Sequence, residues 1–187
     1  MIKELIKGTS DAIVEAIEGV DDVLSAVRKV VKNQVVGASK DVGDILTGGM
    51  DSVTAVVTGA VKNVGNIGVS AIDVSRDAVH AAISGVSDVG GDVLTAVKKA
   101  TRGAIKGASE VGGDLGEVAV GAVEGSINAA KDVGVDSVGA VRAAVVSAVK
   151  AADEIGGEAG QSVREALLSA ASLPKDVVKS AIEGTKE

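Results

Sequence analysis

The chain has 187 residues, of which 35 are Val, 29 Ala and 25 Gly, with 19 basic and 26 acidic side chains for a net charge of −7. It has no Phe, Tyr, Trp or Cys, one Pro (Pro174) and one His (His80). Disulfides, thiolate metal sites and Cys nucleophiles are thereby excluded, and any core must form without the roughly 150–250 Å² that each aromatic would bury.

The first twenty residues, MIKELIKGTSDAIVEAIEGV, carry acidic residues inside every apolar stretch, which does not read as a secretory signal. Within them, Gly8-Thr9-Ser10-Asp11 is a weak helix-start signal. The longest uncharged runs, such as 52–61, reach about half of the ~18–20 residues that a spanning helix needs. No transmembrane span is expected, and a cytoplasmic location is favoured. The charges are interspersed without a basic block, so nucleic acid is not an expected partner.

From Val23 onward a repeat governs the chain. Every twenty-second residue is β-branched: Val23, Ile45, Ile67, Val89, Val111, Val133, Ile155 and Val177. The residue before each is acidic except Asn66, and the residue after is Gly five times running, at Gly68, Gly90, Gly112, Gly134 and Gly156. Another column holds Gly37, Gly59, Ala81, Gly103, Gly125, Ser147 and Ser169, all small, and no insertion or deletion interrupts 155 residues. Each unit divides into halves of 11, or about 3.67 residues per turn over three turns. On a helix the apolar and small positions then cover a face roughly 165° wide. The expected packing face is Val23, Ile45, Ile67, Val89, Val93, Val97, Ala100, Ala104, Ala108, Val111, Leu115, Val133, Val141, Ile155 and Val163. Segment 92–100, DVLTAVKKA, spaces its apolar residues by three and four; a β-solenoid would alternate with period two.

The pattern predicts an all-α protein of long amphipathic helices, packed as a straight or right-handed coiled coil, bundle or filament. The alternative is antiparallel hairpins of helices about 18 residues long, in which Gly90-Gly91, Gly112-Gly113 and Gly156-Gly157 are turns and the following acidic residue caps the next helix. Continuous helices are preferred because turns tolerate insertions, none appears, and the apolar phase runs through each Gly pair. Pro174, with Ser172 before it, divides the repeat region, 1–172, from a short helix or cap over 173–187.

A lone helix of this composition would not persist in water, since Gly costs roughly 1 kcal/mol against Ala and Val about half that. Other copies, the same chain or a lipid surface must cover the apolar face. Gly68, Gly90, Gly112, Gly134 and Gly156 are expected to let helices approach closely. Small-xxx-small pairs at Gly103/Gly107, Gly112/Gly116, Gly121/Gly125 and Gly156/Gly160 point the same way. The expected function is that of a non-enzymatic structural protein that self-assembles through this face into a homo-oligomeric bundle, barrel or filament. The alternatives are a peripheral protein on membranes, vesicles, droplets or granules, and an adaptor that uses grooves between hairpins.

No motif for a catalytic site, cofactor or metal is found. Gly85-Val86-Ser87-Asp88-Val89-Gly90 is followed by Gly91 rather than the Lys of a P-loop. His80 has no second His or Cys and reads as a solvated face residue. Asp88, Glu110, Asp132 and Glu154 lie about 33 Å apart on a continuous helix, too far to chelate together. They read as surface pairing with lysines such as Lys98, Lys106, Lys131 and Lys150.

The amphipathic 11/22-residue pattern, with stretches such as Lys131-Asp132-Val133-Gly134-Val135 and Val111-Gly112-Gly113, resembles synucleins and exchangeable apolipoproteins. That resemblance implies peripheral lipid binding, with the helix lying in the interface.

Overall fold

The computed structural model describes residues 2–16, 23–41, 48–64 and 69–185. Among them run nine helices and no strands. They are α1 (Ile2–Ala16), α2 (Val23–Asp41), α3 (Gly48–Val64), α4 (Ala71–Asp88), α5 (Val93–Glu110), α6 (Leu115–Val133), α7 (Ser137–Ile155), α8 (Gly157–Ser169) and α9 (Lys175–Glu183). The protein is all-α.

The helices are not continuous across the repeat, and the hairpin alternative describes the turns. Three of them end in one hydrogen-bonded motif. At the end of α4 the Gly91 N–H donates to the Val86 carbonyl (2.9 Å) and the Gly90 N–H to that of Ser87 (3.0 Å). The same pairs join Gly113 to Ala108 and Gly112 to Ser109 after α5, and Val135 to Ala130 and Gly134 to Lys131 after α6. The motif needs a left-handed residue, and Gly90, Gly112 and Gly134 supply φ of +75°, +67° and +74°. Two residues later an Asp caps the next helix: Asp92 accepts from the Thr95 N–H, Asp114 from that of Glu117, and Asp136 from those of Val138 and Gly139. The break between α7 and α8 is shorter, with Gly156 in an extended conformation.

From α1 to α5, each helix packs more extensively on the helix two ahead of it than on the next helix in sequence. Toward the C-terminus the neighbour contacts α6–α7 and α7–α8 become as extensive. Odd-numbered helices therefore form one layer and even-numbered helices another, and the chain zigzags between them. Two reversals make helices within a layer parallel. Accordingly Gly103 and Gly107 of α5 face Thr54 and Thr58 of α3 in the same order. The result is two layers of helices in which α4 to α7 begin 22 residues apart, at Ala71, Val93, Leu115 and Ser137. A helix inside them is covered on both flanks and from the facing layer, which is the physical reason for an apolar face so wide.

The core is thin, and small residues make it so. A Cβ added at Gly103 would lie 2.5 Å from the Thr54 carbonyl oxygen, and one at Gly107 2.7 Å from that of Thr58. Gly121 and Gly125 of α6 press still closer on the Ile72 and Arg76 carbonyls of α4, and Gly59 of α3 meets that of Ile6 of α1. The Thr58 hydroxyl, fully buried, shares its one proton between the Gly103 carbonyl across the crossing (3.1 Å) and the Thr54 carbonyl of its own helix (2.8 Å). Gly37 belongs to the same sequence column as Gly59, Gly103 and Gly125, but sits exposed on α2 with nothing within 4 Å.

Thr101 breaks a second column. Val35, Val57, Val79, Val123 and Val145, spaced by multiples of 22, are all buried, and Thr101 sits among them at 0% exposure. Its hydroxyl has no hydrogen-bond partner among the described residues.

These columns generate two predictions. Replacing Thr101 with Val should stabilise the protein by about 1 kcal/mol, since an unpaired buried hydroxyl costs roughly 1–3 kcal/mol; a lowered urea midpoint would contradict this. Ala at Gly103 should cost about 1–3 kcal/mol through overpacking, whereas Ala at Gly37 should gain up to about 1 kcal/mol from helix propensity. Thermal unfolding of the two variants should therefore shift in opposite directions.

Candidate functional site: a cationic groove between α5 and α7

The solvent faces of the two layers carry a ladder of ion pairs between helices two apart. The acidic column lies in the last turn of successive helices, where the helix dipole disfavours negative charge. Each of these carboxylates meets a basic side chain from the parallel helix before it. Lys32 reaches Asp88 (2.8 Å), Lys62 reaches Glu110 (3.1 Å), and His80 Nε2 lies 2.7 Å from Asp132. Arg102 grips Glu154 with both terminal nitrogens (3.0 and 2.5 Å). Arg28 with Asp77, Arg76 with Glu124 and Lys99 with Asp51 add further rungs. His80, expected on a solvated face, is half-buried and belongs to this ladder.

Two groups on α4 are shifted by this crowding. Burial raises the Asp77 carboxyl above its usual range, against the pull of Arg28, Arg76 and His80. Burial works to lower Arg76, but Asp73 and Glu124 outweigh it and hold its guanidinium above the ordinary value.

One groove departs from the ladder. Between α5 and α7 lies an open depression of about 490 Å³ lined by Leu94, Lys98, Arg102, Gly139, Arg142, Ala143, Val146, Ser147, Lys150 and Glu154. Its floor is pinned by the Ser147 hydroxyl, which donates to the Lys98 carbonyl (2.7 Å). Glu154 is engaged by Arg102. Among the described residues Lys98, Arg142 and Lys150 have no carboxylate within 4.0 Å. Four cations and one anion leave this lining with a charge of +3 in a chain of net −7. Leu94, 42% exposed, supplies an apolar wall. The smaller groove between α2 and α4, about 350 Å³, holds Arg28, Lys29, Lys32 and His80, but three of those four are already paired.

The expected packing face divides under this geometry. Val23, Val97, Ala100, Ala104, Ala108, Val141 and Val163 are buried, and Val93 and Leu115 pack partly on the core. Val89 and Val133 are half-buried, while Val111 (40%) and Ile155 (46%) are exposed, because this column ends helices instead of facing a neighbour. Ile45, Ile67 and Gly68 lie outside the described residues. A Cβ added at Gly90, Gly112, Gly134 or Gly156 would meet nothing within 4 Å, so these are turn glycines and not points of close approach. Close approach falls to Gly59, Gly103, Gly107, Gly121 and Gly125.

The 22-residue period does not reveal the groove. Lys98 and Arg142 share one 22-residue column with Lys32, Arg76 and Arg164 of even helices and with Thr54 of α3, and Lys150 shares another with Lys40, Lys62, Ser84, Lys106 and Asn128, so neither column singles out this pair of helices. Among the described residues no group of three His, Asp or Glu side chains is placed to hold a metal ion. No protein-family model and no curated protein matches this chain.

The raised Asp77 carboxyl fixes a pH dependence. A folded-state value above the unfolded one (about 3.9) gives stability that is present below the unfolded value and lost as pH rises through the folded one. Asp77→Asn should therefore equal or exceed the wild type in unfolding temperature at pH 7, with that advantage shrinking toward pH 3. A variant less stable at pH 7 than at pH 3, relative to wild type, would mean that the Arg28 pair outweighs burial.

Proposed function

We propose that this protein is a non-enzymatic structural repeat protein, a folded scaffold that presents charged grooves on the outside of a close-packed α-solenoid. The observation that carries this reading is where the small-residue face goes. Gly103, Gly107, Gly121 and Gly125 are occupied by the chain's own parallel helices, so the surface expected to drive self-assembly is used within one molecule. Bundle or filament formation through that face would require the solenoid to open.

The lipid role implied by the synuclein and apolipoprotein resemblance needs a continuous apolar stripe that is bare in water. Among the described residues the large exposed apolar side chains, Leu94, Val111, Val138, Ile155 and Leu168, are instead spread along the chain. Val138 and Leu94 are at the N-terminal ends of odd helices, and Val111 and Ile155 at their C-terminal ends. No described helix is long and apolar enough to cross a membrane.

The test is far-UV circular dichroism with light scattering in plain buffer, then with phosphatidylserine vesicles. The expected result is a strongly helical monomer that unfolds cooperatively and whose spectrum is unchanged by vesicles. Helicity that arises only with vesicles would replace this reading with the lipid one, and a polydisperse, concentration-dependent assembly would restore the filament reading.

A further inference from the structure

We propose that the groove between α5 and α7 docks an extended acidic peptide segment of a partner protein, one that carries an aliphatic side chain between its carboxylates. This rests on the scaffold reading above and adds the partner class. The argument begins with charge. Along both layers, basic side chains such as Lys32, Lys62, Arg76, Lys99 and Arg102 find a carboxylate on a neighbouring helix, yet three cations, Lys98, Arg142 and Lys150, converge on one groove without one among the described residues. Three uncompensated cations in an otherwise acidic molecule repel one another, and an anionic ligand relieves that repulsion.

Shape narrows the ligand. The lining is not only cationic; Leu94 and Val146 form an apolar strip beside the basic side chains. Inorganic phosphate has nothing to place there. Arg142 and Lys150 are eight residues apart on α7, or about 12 Å along the helix. An extended peptide advances about 3.3 Å per residue, so carboxylates about four positions apart match that spacing and leave an aliphatic residue over the strip. A volume of about 490 Å³ suits a few side chains in a concave site. Ser147 ties the floor of the groove to α5, so the site is formed before the ligand arrives, which lowers the entropic cost of binding.

The experiment uses the full chain and a fluorescein-labelled peptide, Ser-Glu-Glu-Leu-Val-Glu-Glu-Ser, read by fluorescence anisotropy. Its controls replace every Glu by Gln, or Leu and Val by Ser. The acidic peptide should bind at least about tenfold more tightly than the Gln version, and more weakly as salt rises through the Debye regime. The combined variant Lys98→Glu, Arg142→Glu, Lys150→Glu should lose about tenfold or more. Lys29→Glu, Lys131→Glu, Lys179→Glu, which changes net charge equally on other exposed positions, should leave binding within about twofold. If the groove variant unfolds, the single changes to Gln at Lys98 and Arg142 should each weaken binding about two- to threefold. Equal affinity for the Glu and Gln peptides, or equal loss in both triple variants, would overturn the proposal. So would groove-dependent binding of phosphatidylserine vesicles in place of the peptide. Light scattering and circular dichroism of the same samples separate the two levels. A helical monomer that ignores the peptide refutes the docking alone, whereas a chain unfolded without lipid refutes the scaffold.

Discussion

Helices made of Val, Ala and Gly have thin side-chain shells, so a dry interior forms only where their backbones come close together. The crossings at Gly103 and Gly107, and at Gly121 and Gly125, are where this happens. They bring the helices of a layer close together, and alanines such as Ala100, Ala104, Ala122 and Ala144 are fully buried in the same core. Glycine in a helix interior is unfavourable by itself; here it is offset by contact that no other residue would allow. The hydroxyls of Thr54 and Thr58 use the same proximity to reach carbonyls of the adjacent helix. A polar group thereby joins two helices within a core that offers it no water.

The turns follow from a separate local chemistry. A left-handed Gly closes one helix and an Asp two residues later opens the next, which fixes the connection at a single length. The invariance of the repeat, which favours unbroken helices if turns are taken to be permissive, is equally what a turn of fixed hydrogen bonding requires. Phase does not separate the two arrangements either, because 22 residues make about six helical turns whether or not the backbone reverses at the end. The deciding feature is Gly followed at two residues by Asp, at Gly90 and Asp92, Gly112 and Asp114, and Gly134 and Asp136.

All-helical structure and the burial of one helix face are legible in the sequence, because each is a local or periodic property. Val97, Ala100, Ala104 and Ala108 fall where a helical wheel puts them. The β-branched column at Val111 and Ile155 misleads, because regularity in sequence is not burial in space. The candidate site is less accessible still. Its side chains come from helices joined only through layer topology, and the partners of the ladder are 48 to 56 residues apart, as with Arg76 and Glu124 or Lys32 and Asp88. Pairing at such distances is fixed by which helices are parallel neighbours, and a single helical period carries no information about that.

The ladder also bears on how the molecule holds together. Carboxylates at helix C-terminal ends are unfavourable in an isolated helix, and the glycines of the crossings are too. Both become favourable, or at least neutral, once the preceding parallel helix is present to supply Lys62 or Arg102 on the surface and a close backbone inside. Exposed pairs contribute less than about 1 kcal/mol each, so the surface rungs act chiefly on register, and the buried crossings carry most of the energy. Local preference and neighbour contact thus oppose one another in α5 and α6. In a nearest-neighbour array, weak units with strong interfaces unfold together rather than one by one. The α5/α7 groove escapes that opposition only in part: Arg102 is neutralised within the array by Glu154, whereas Lys98, Arg142 and Lys150 beside it meet no carboxylate among the described residues.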